Sequence, residues 1–329
     1  MAENTGSTRT ASSSSKLERA LKSIYRVNLA VKPHEKVAIV FDERKKALAK
    51  KFHTAAETFS AHVTLIEIPE MNVNGQEPPA EVARILLPHD VALFVTEKSL
   101  SHTKARRDCT DKGMRIASMP GITEDMLKRC IETDYARLRK DTARVADLLD
   151  AAKSARIRTK AGTDLSLSIA GRKAHGRKAG IFDQPGYWGN LPEGEAFIAP
   201  VEGTANGTLV IDGSIANTGR VKRVVMTIKN GEAVSVIQGT KRHALDAVME
   251  KTGRKARNIA ELGIGLNRNA KITGLVLEDE KVYGTCHIAV GNNIGFGGTV
   301  DVPLHIDSVV RNPSIFLDGK CVMKSGKLL

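Results

Sequence analysis

The chain has 329 residues, a formal net charge of +13 and only 4 % aromatic residues. That length allows two domains with a core each, and no apolar run approaches the roughly 20 residues that cross a bilayer. The four cysteines, Cys109, Cys130, Cys286 and Cys321, form no CxxC pair, which argues against a thiolate zinc site or a disulfide framework and places the chain in a reducing cytosol.

Residues 1–15 are polar and Ser/Thr-rich, as a disordered tail would be. Residues 37–41, 63–68, 91–95 and 114–119 then read as strands, apolar almost throughout. Between them lie helical stretches at residues 45–59, 80–87 and 103–112, and Pro120-Gly121 breaks the chain before another at 123–130. Apolar strands alternating with helices predict a parallel sheet covered on both faces. The expected fold class for residues 16–154 is therefore an α/β, doubly wound, flavodoxin-like domain. Neither GxGxxG nor GxxxxGK[ST] occurs, so a nucleotide cofactor has no support.

A long helix at residues 135–153 should link this domain to the next. Beyond it the pattern changes to short strands at 156–159, 165–169, 208–211, 221–228 and 233–237, with Gly162, Gly171, Gly213 and Gly231 at turns. One helix is expected at 242–249. Residues 155–329 thus read as a β-rich α+β domain.

Ionisable groups gather in apolar segments of this second half. Glu195 precedes an apolar strand, Glu261 sits in IAELGIG, His287 in TCHIAVG, and His305 and Asp307 in LHID. An ionised group buried alone costs several kcal/mol, and one divalent cation would satisfy them together. In a strand His305 and Asp307 point to the same side and suit a single ion. With His287 they form a two-His, one-Asp set appropriate to Fe(II), Zn or Mn. Each also has a plainer reading: His287 as a hydrogen-bonded core residue, Glu261 as a salt-bridged carboxylate, His305 and Asp307 as a bonded pair. His102, after an apolar strand, is a candidate proton-transfer group or simply a polar residue at a helix start. His175, among Arg172, Lys173, Arg177 and Lys178, reads as solvated. Trp188 could line a pocket or pack, and Lys281 could pair with its acidic neighbours. Basic clusters at 44–46, 104–107, 137–144 and 172–178 could meet a polyanion, but scarce aromatics and helical spacing argue for solvated faces.

Four blocks together resemble the aminopeptidase T and aminopeptidase S family of metallopeptidases: residues 190–200 (NLPEGEAFIAP), 259–267 (IAELGIGLN), 279–291 (DEKVYGTCHIAVG) and 304–309 (LHIDSV). The resemblance implies an N-terminal α/β domain, a β-rich catalytic domain, a homodimer, and two Zn, Co or Mn ions. Carried over by motif, the ligands fall on Glu195, Glu261, His287, His305 and Asp307, with Glu195 or Glu261 also able to act as a general base. The family's tyrosine ligand falls on Ile294, and Tyr283 lies on the other side of His287. The same superfamily is similar to 2,5-dihydroxypyridine dioxygenase, which uses one Fe(II) held by two His and one Asp, and needs no tyrosine. The leading expectation is a metallo-aminopeptidase acting on small peptides. The alternative is an extradiol-type Fe(II) dioxygenase of a hydroxylated ring, and the third is a non-catalytic basic binding protein.

Overall fold

The computed structural model describes residues 16–238 and 242–329; the expected tail, residues 1–15, lies outside them. The chain divides into two compact units, Met1–Asp134 with Gly180–Glu193, and Tyr135–Ala179 with Gly194–Leu329.

In the first unit a parallel sheet runs, from edge to edge, His62–Glu67, Lys36–Phe41, Val91–Val95, Arg115–Ser118 and Trp188–Asn190. The order of its first four strands, 2-1-3-4, is that of a flavodoxin-like domain. Val91–Val95 is buried at every position, as a strand between helical layers must be. The helix Lys104–Asp111 starts where the Thr103 hydroxyl accepts the Arg106 N–H, a side-chain N-cap. At the start of its strand Arg115 donates two hydrogen bonds to the Glu35 carboxylate, at 3.0 and 2.6 Å.

The second unit holds two antiparallel sheets. The larger has eight strands. The smaller runs Gly219–Arg220, Ser214–Ile215, His305–Arg311, Thr285–Gly291, Ile259–Gly265 and Glu195–Ile198. Their shared core includes Ile157, Leu167, Leu209, Met226, Leu262, Ile288 and Val310. The mixed α/β class followed by a β-rich unit is as the sequence predicts.

The division falls elsewhere than residue 155. The helix Tyr135–Ala151 buries Leu138, Val145 and Leu149 in the core of the second unit. The segment Gly180–Glu193 belongs to the first unit and supplies its fifth strand. An apolar stripe reveals that a helix is covered, but not by which core.

Among the described residues no helix is long and apolar enough to cross a membrane.

Candidate metal centre

Glu195, Glu261, His287, His305 and Asp307 lie on one face of the smaller sheet, and the register shows why. Gly265 pairs with Glu195, and Gly263 with both Phe197 and His287. Ala289 pairs with Glu261 and Asp307, and Gly291 with His305. Directly paired residues share a face, as do residues two apart along a strand. The polar side chains therefore alternate with glycine or alanine and lean into the space those small residues leave. Gly263 shows the need most directly, since a Cβ built there would lie 1.9 Å from the His287 Nε2. The opposite face carries Ile198, Leu262, Ile264, Ile288, Val290, Ile306 and Val310 into the core. A bulge between Ile259 and Glu261 shifts the register beside Glu261, a device often found where a strand re-aims a side chain.

Two groups of potential ligands result, Glu195 with Glu280 and His287, and Glu261 with His305 and Asp307; within each, ligand atoms lie within 4.8 Å of one another. Glu261 links them. Its Oε1 is 3.1 Å from the His287 Nε2 and its Oε2 is 3.4 Å from the His305 Nε2. The His305 Nε2 is also 3.4 Å from Asp307. The His305 Nδ1 donates to the Asn292 carbonyl at 2.8 Å; a carbonyl can only accept, so this bond sets the tautomer and turns Nε2 toward the carboxylates.

Burial alone would lower the pKa of His287, but the Glu261 hydrogen bond and the charges of Glu195, Glu261 and Asp307 outweigh it and hold the group at about 9. His305 is raised well above its ordinary value against the same burial, by Asp307 and Glu261. For Glu261 and Asp307 burial works upward, yet the imidazoles hold both below the usual carboxylate range. The polar cluster is thus a set of acids and bases that neutralise one another.

The run at residues 278–281 divides its tasks. Glu278 accepts the Lys271 N–H, and Asp279 accepts those of Thr273 and Gly274, which ties down the preceding loop. Lys281, 1 % exposed, places Nζ 2.6 Å from the Glu195 Oε1 and also bonds Glu280. Burial raises the Glu280 carboxyl to about 8, the Lys281 ammonium opposing and the Glu195 charge adding to the rise.

The cluster fits a divalent cation. Imidazole nitrogens and carboxylate oxygens are the donors that Fe(II), Mn and Zn accept. Among the described residues the buried His287 Nδ1 has no hydrogen-bond partner, a condition that costs about 1–3 kcal/mol unless something else engages it.

The family model for 2,5-dihydroxypyridine 5,6-dioxygenase (NicX) matches residues 20–329. The chain belongs to the NicX family. Within it, the 2,5-dihydroxypyridine 5,6-dioxygenase of Pseudomonas putida KT2440 is 28 % identical over 302 residues, covering 84 % of this chain and 85 % of that protein. A solved structure of the dioxygenase from Pseudomonas putida KT2440 superposes with a TM-score of 0.81 at 24 % identity, covering 95 % of this chain and 96 % of the other. Wild-type AmpT from Thermus thermophilus superposes with a TM-score of 0.71 at 16 % identity over 96 % of this chain and 99 % of that one, a likeness of fold.

Membership in the NicX family overturns the leading expectation of an aminopeptidase. The blocks that resemble the peptidases lay out the sheet face and do not by themselves choose the reaction. The NicX family also sets the chain among enzymes, which removes the non-catalytic reading. Several residues of the basic clusters pair with carboxylates: Arg44 with Glu70, Lys104 with Asp108, Arg172 with Glu202, and Arg177 with Asp147 and Asp150. The family tyrosine has no stand-in at its own position: Ile294 is 52 % exposed. Tyr283 lies under the Arg268 guanidinium, 3.8 Å from it, and accepts the Leu328 N–H.

His102 belongs to the first unit, exposed on the turn before the helix Lys104–Asp111, with its ring edge-on to Trp188 at 6.5 Å. It is not a member of either ligand group. Trp188 is packed, with the Arg106 guanidinium 3.8 Å above its ring. His175 is exposed, yet its ring stacks on Phe197 at 5.1 Å, and Phe296 touches both Phe197 and His305 at 5.6 and 5.9 Å. These aromatics escape the sequence reading because they come from three distant segments. The one available signal is the alternation that puts Phe197 on the same strand face as Glu195.

Proposed function

We propose that this chain is a single-iron dioxygenase that opens the ring of a hydroxylated pyridine, with 2,5-dihydroxypyridine as the first substrate to test. The observation that carries the reading is the setting of His305. Among the candidate ligands it keeps 31 % of its side chain exposed, and beside it stand Phe296, Phe197 and the His175 ring. A ring-shaped substrate approaching the open side of the cluster would find aromatic faces and edges, which favour offset or edge-on contact with another ring.

His287, His305 and Asp307 would hold the ion, leaving positions for other partners. A bound Fe(II) would supply the one-electron chemistry with dioxygen that side chains lack. The protein groups then have separate tasks. Asn292 keeps the His305 Nε2 directed inward through its carbonyl. Glu261, with an oxygen beside each imidazole, orients both rings and is the nearby carboxylate able to take the substrate's hydroxyl proton. The apolar opposite face of the sheet keeps water from the buried side.

The substrate class rests on the NicX family and its Pseudomonas relative. The four cysteines are free, as suits a protein that must keep ferrous iron in a reducing cytosol. We further propose a homodimer, to be read by sedimentation equilibrium. The decisive test loads the metal-stripped protein with Fe(II) anaerobically, adds 2,5-dihydroxypyridine, and follows oxygen uptake against loss of the ring absorbance. One oxygen per ring lost supports the reading; a folded, iron-loaded protein that consumes no oxygen with this or related dihydroxypyridines ends it.

A further inference from the structure

We propose that the Lys281 ammonium is a resident cation that fills the Glu195–Glu280–His287 group and so limits the centre to one metal ion. The inference rests on the single-iron reading and deepens it, by naming the residue that closes the second position.

The two ligand groups are alike in kind, two carboxylates with one imidazole each. They differ in what neutralises them. Among the described residues the ion pairs of Glu261 and Asp307 are with His287 and His305, and a neutral imidazole can yield its place to a metal. Glu195 and Glu280 also share the ammonium of Lys281, buried to 1 %, while the other Glu195 oxygen lies 3.4 Å from the His287 Nε2. A lysine offers three donors and no acceptor, and its charge cannot be replaced by a metal without the ammonium leaving. An ion added to this group would have to displace the ammonium or lie against it, charge on charge, in a site with little water.

The backbone makes the placement deliberate. A Cβ at Gly265 would lie 2.1 Å from the Val282 carbonyl, so only glycine lets the chain that follows Lys281 come down onto the strand. Gly265 is the register partner of Glu195, so the close approach delivers Lys281 beside that carboxylate. The Asn267 N–H, which donates to the Lys281 carbonyl at 2.8 Å, anchors the same segment. Lys281 is thus a positioning residue that sets ion number, and the remaining group, Glu261, His305 and Asp307 with His287 across Glu261, is where the single ion is received.

The test titrates metal-stripped, full-length protein with Zn²⁺ and, separately, Mn²⁺, reading heat and, after desalting, metal per chain; circular dichroism confirms folding. Wild type should take up one equivalent. Lys281→Met should take up two, and Lys281→Met/Glu195→Gln should fall back to one. Should Lys281→Met not fold, Glu280→Gln/Lys281→Met carries the same titration with one carboxylate fewer to bury, and is expected to show a second, weaker equivalent. Two tight equivalents on wild type overturn the inference, as does a folded lysine variant that stays at one. Wild type that takes one ion but cleaves no dihydroxypyridine leaves this inference standing and removes the dioxygenase reading; ring cleavage by a chain holding two ions does the reverse.

Discussion

The Glu261 carboxylate lies 3.1 Å from the His287 Nε2, and this buried contact joins the two groups of potential ligands. Its consequence is electrostatic. A divalent ion binds imidazole only in its neutral form, and Glu261 favours the charged one. Loading the centre therefore exchanges protons for metal.

That exchange predicts a pH dependence. His287, ordinarily near 6.5, is held at about 9 against the pull of burial. A raised pKa stabilises the folded metal-free protein fully below about pH 6.5 and ceases to as pH rises through about 9. Metal-stripped protein should lose melting temperature across that window, while metal affinity rises over it. Calorimetry of Zn²⁺ binding near pH 7.5 in buffers of different ionisation enthalpy should show proton release, and Glu261→Gln should reduce it. A flat melting profile with no proton release would contradict this account.

Gly263→Ala places a methyl group where the His287 ring sits. The imidazole must turn away, so metal affinity should fall roughly 10- to 100-fold, the scale on which displaced groups around a metal act. Secondary structure should persist. Gly295→Ala, with nothing within 4 Å of the added Cβ, is the control and should bind metal as wild type does.

Phe296→Ala removes an aromatic neighbour of His305 without touching Glu261 or Asp307. The expected outcome is a raised KM for the ring substrate with metal content unchanged; stacked aromatic contacts contribute about 0.5–1.5 kcal/mol each, or roughly 2- to 13-fold. Oxygen-electrode kinetics with matched iron loading check it. Loss of iron in this variant would show that the ring supports the ion instead.

Arg115→Met strands Glu35 in the first unit, where the two side chains are 7 and 9 % exposed. Removing one member of a buried pair costs about 3–5 kcal/mol, measurable by urea unfolding. Burial works to raise the Glu35 pKa, but Arg115 and the Lys32 N–H outweigh it and keep the carboxyl low. The wild-type contribution is therefore present above the ordinary carboxylate range and lost as the solution is acidified. Arg115→Met/Glu35→Leu should recover much of the loss.

Read alone, the sequence determined what depends on period and local chemistry. Apolar runs such as residues 91–95 declared a buried parallel strand, and the two-residue spacing of His305 and Asp307 put both on one side of theirs. Glu261, His287, His305 and Asp307, each inside an apolar segment, already called for partners, because the cost of burying charge does not wait on the fold. Tertiary structure decided what depends on which strands become neighbours. Antiparallel register set Gly263 under His287, inserted Glu261 between two imidazoles, and assigned the helix Tyr135–Ala151 to the second core. It also brought Lys281, ambiguous in an acidic run, onto Glu195, and Phe296 and His175 from remote loops to the open side of the centre. Side-chain spacing along one strand is a covalent property readable from the chain, whereas contacts across strands follow from the register and packing that folding imposes.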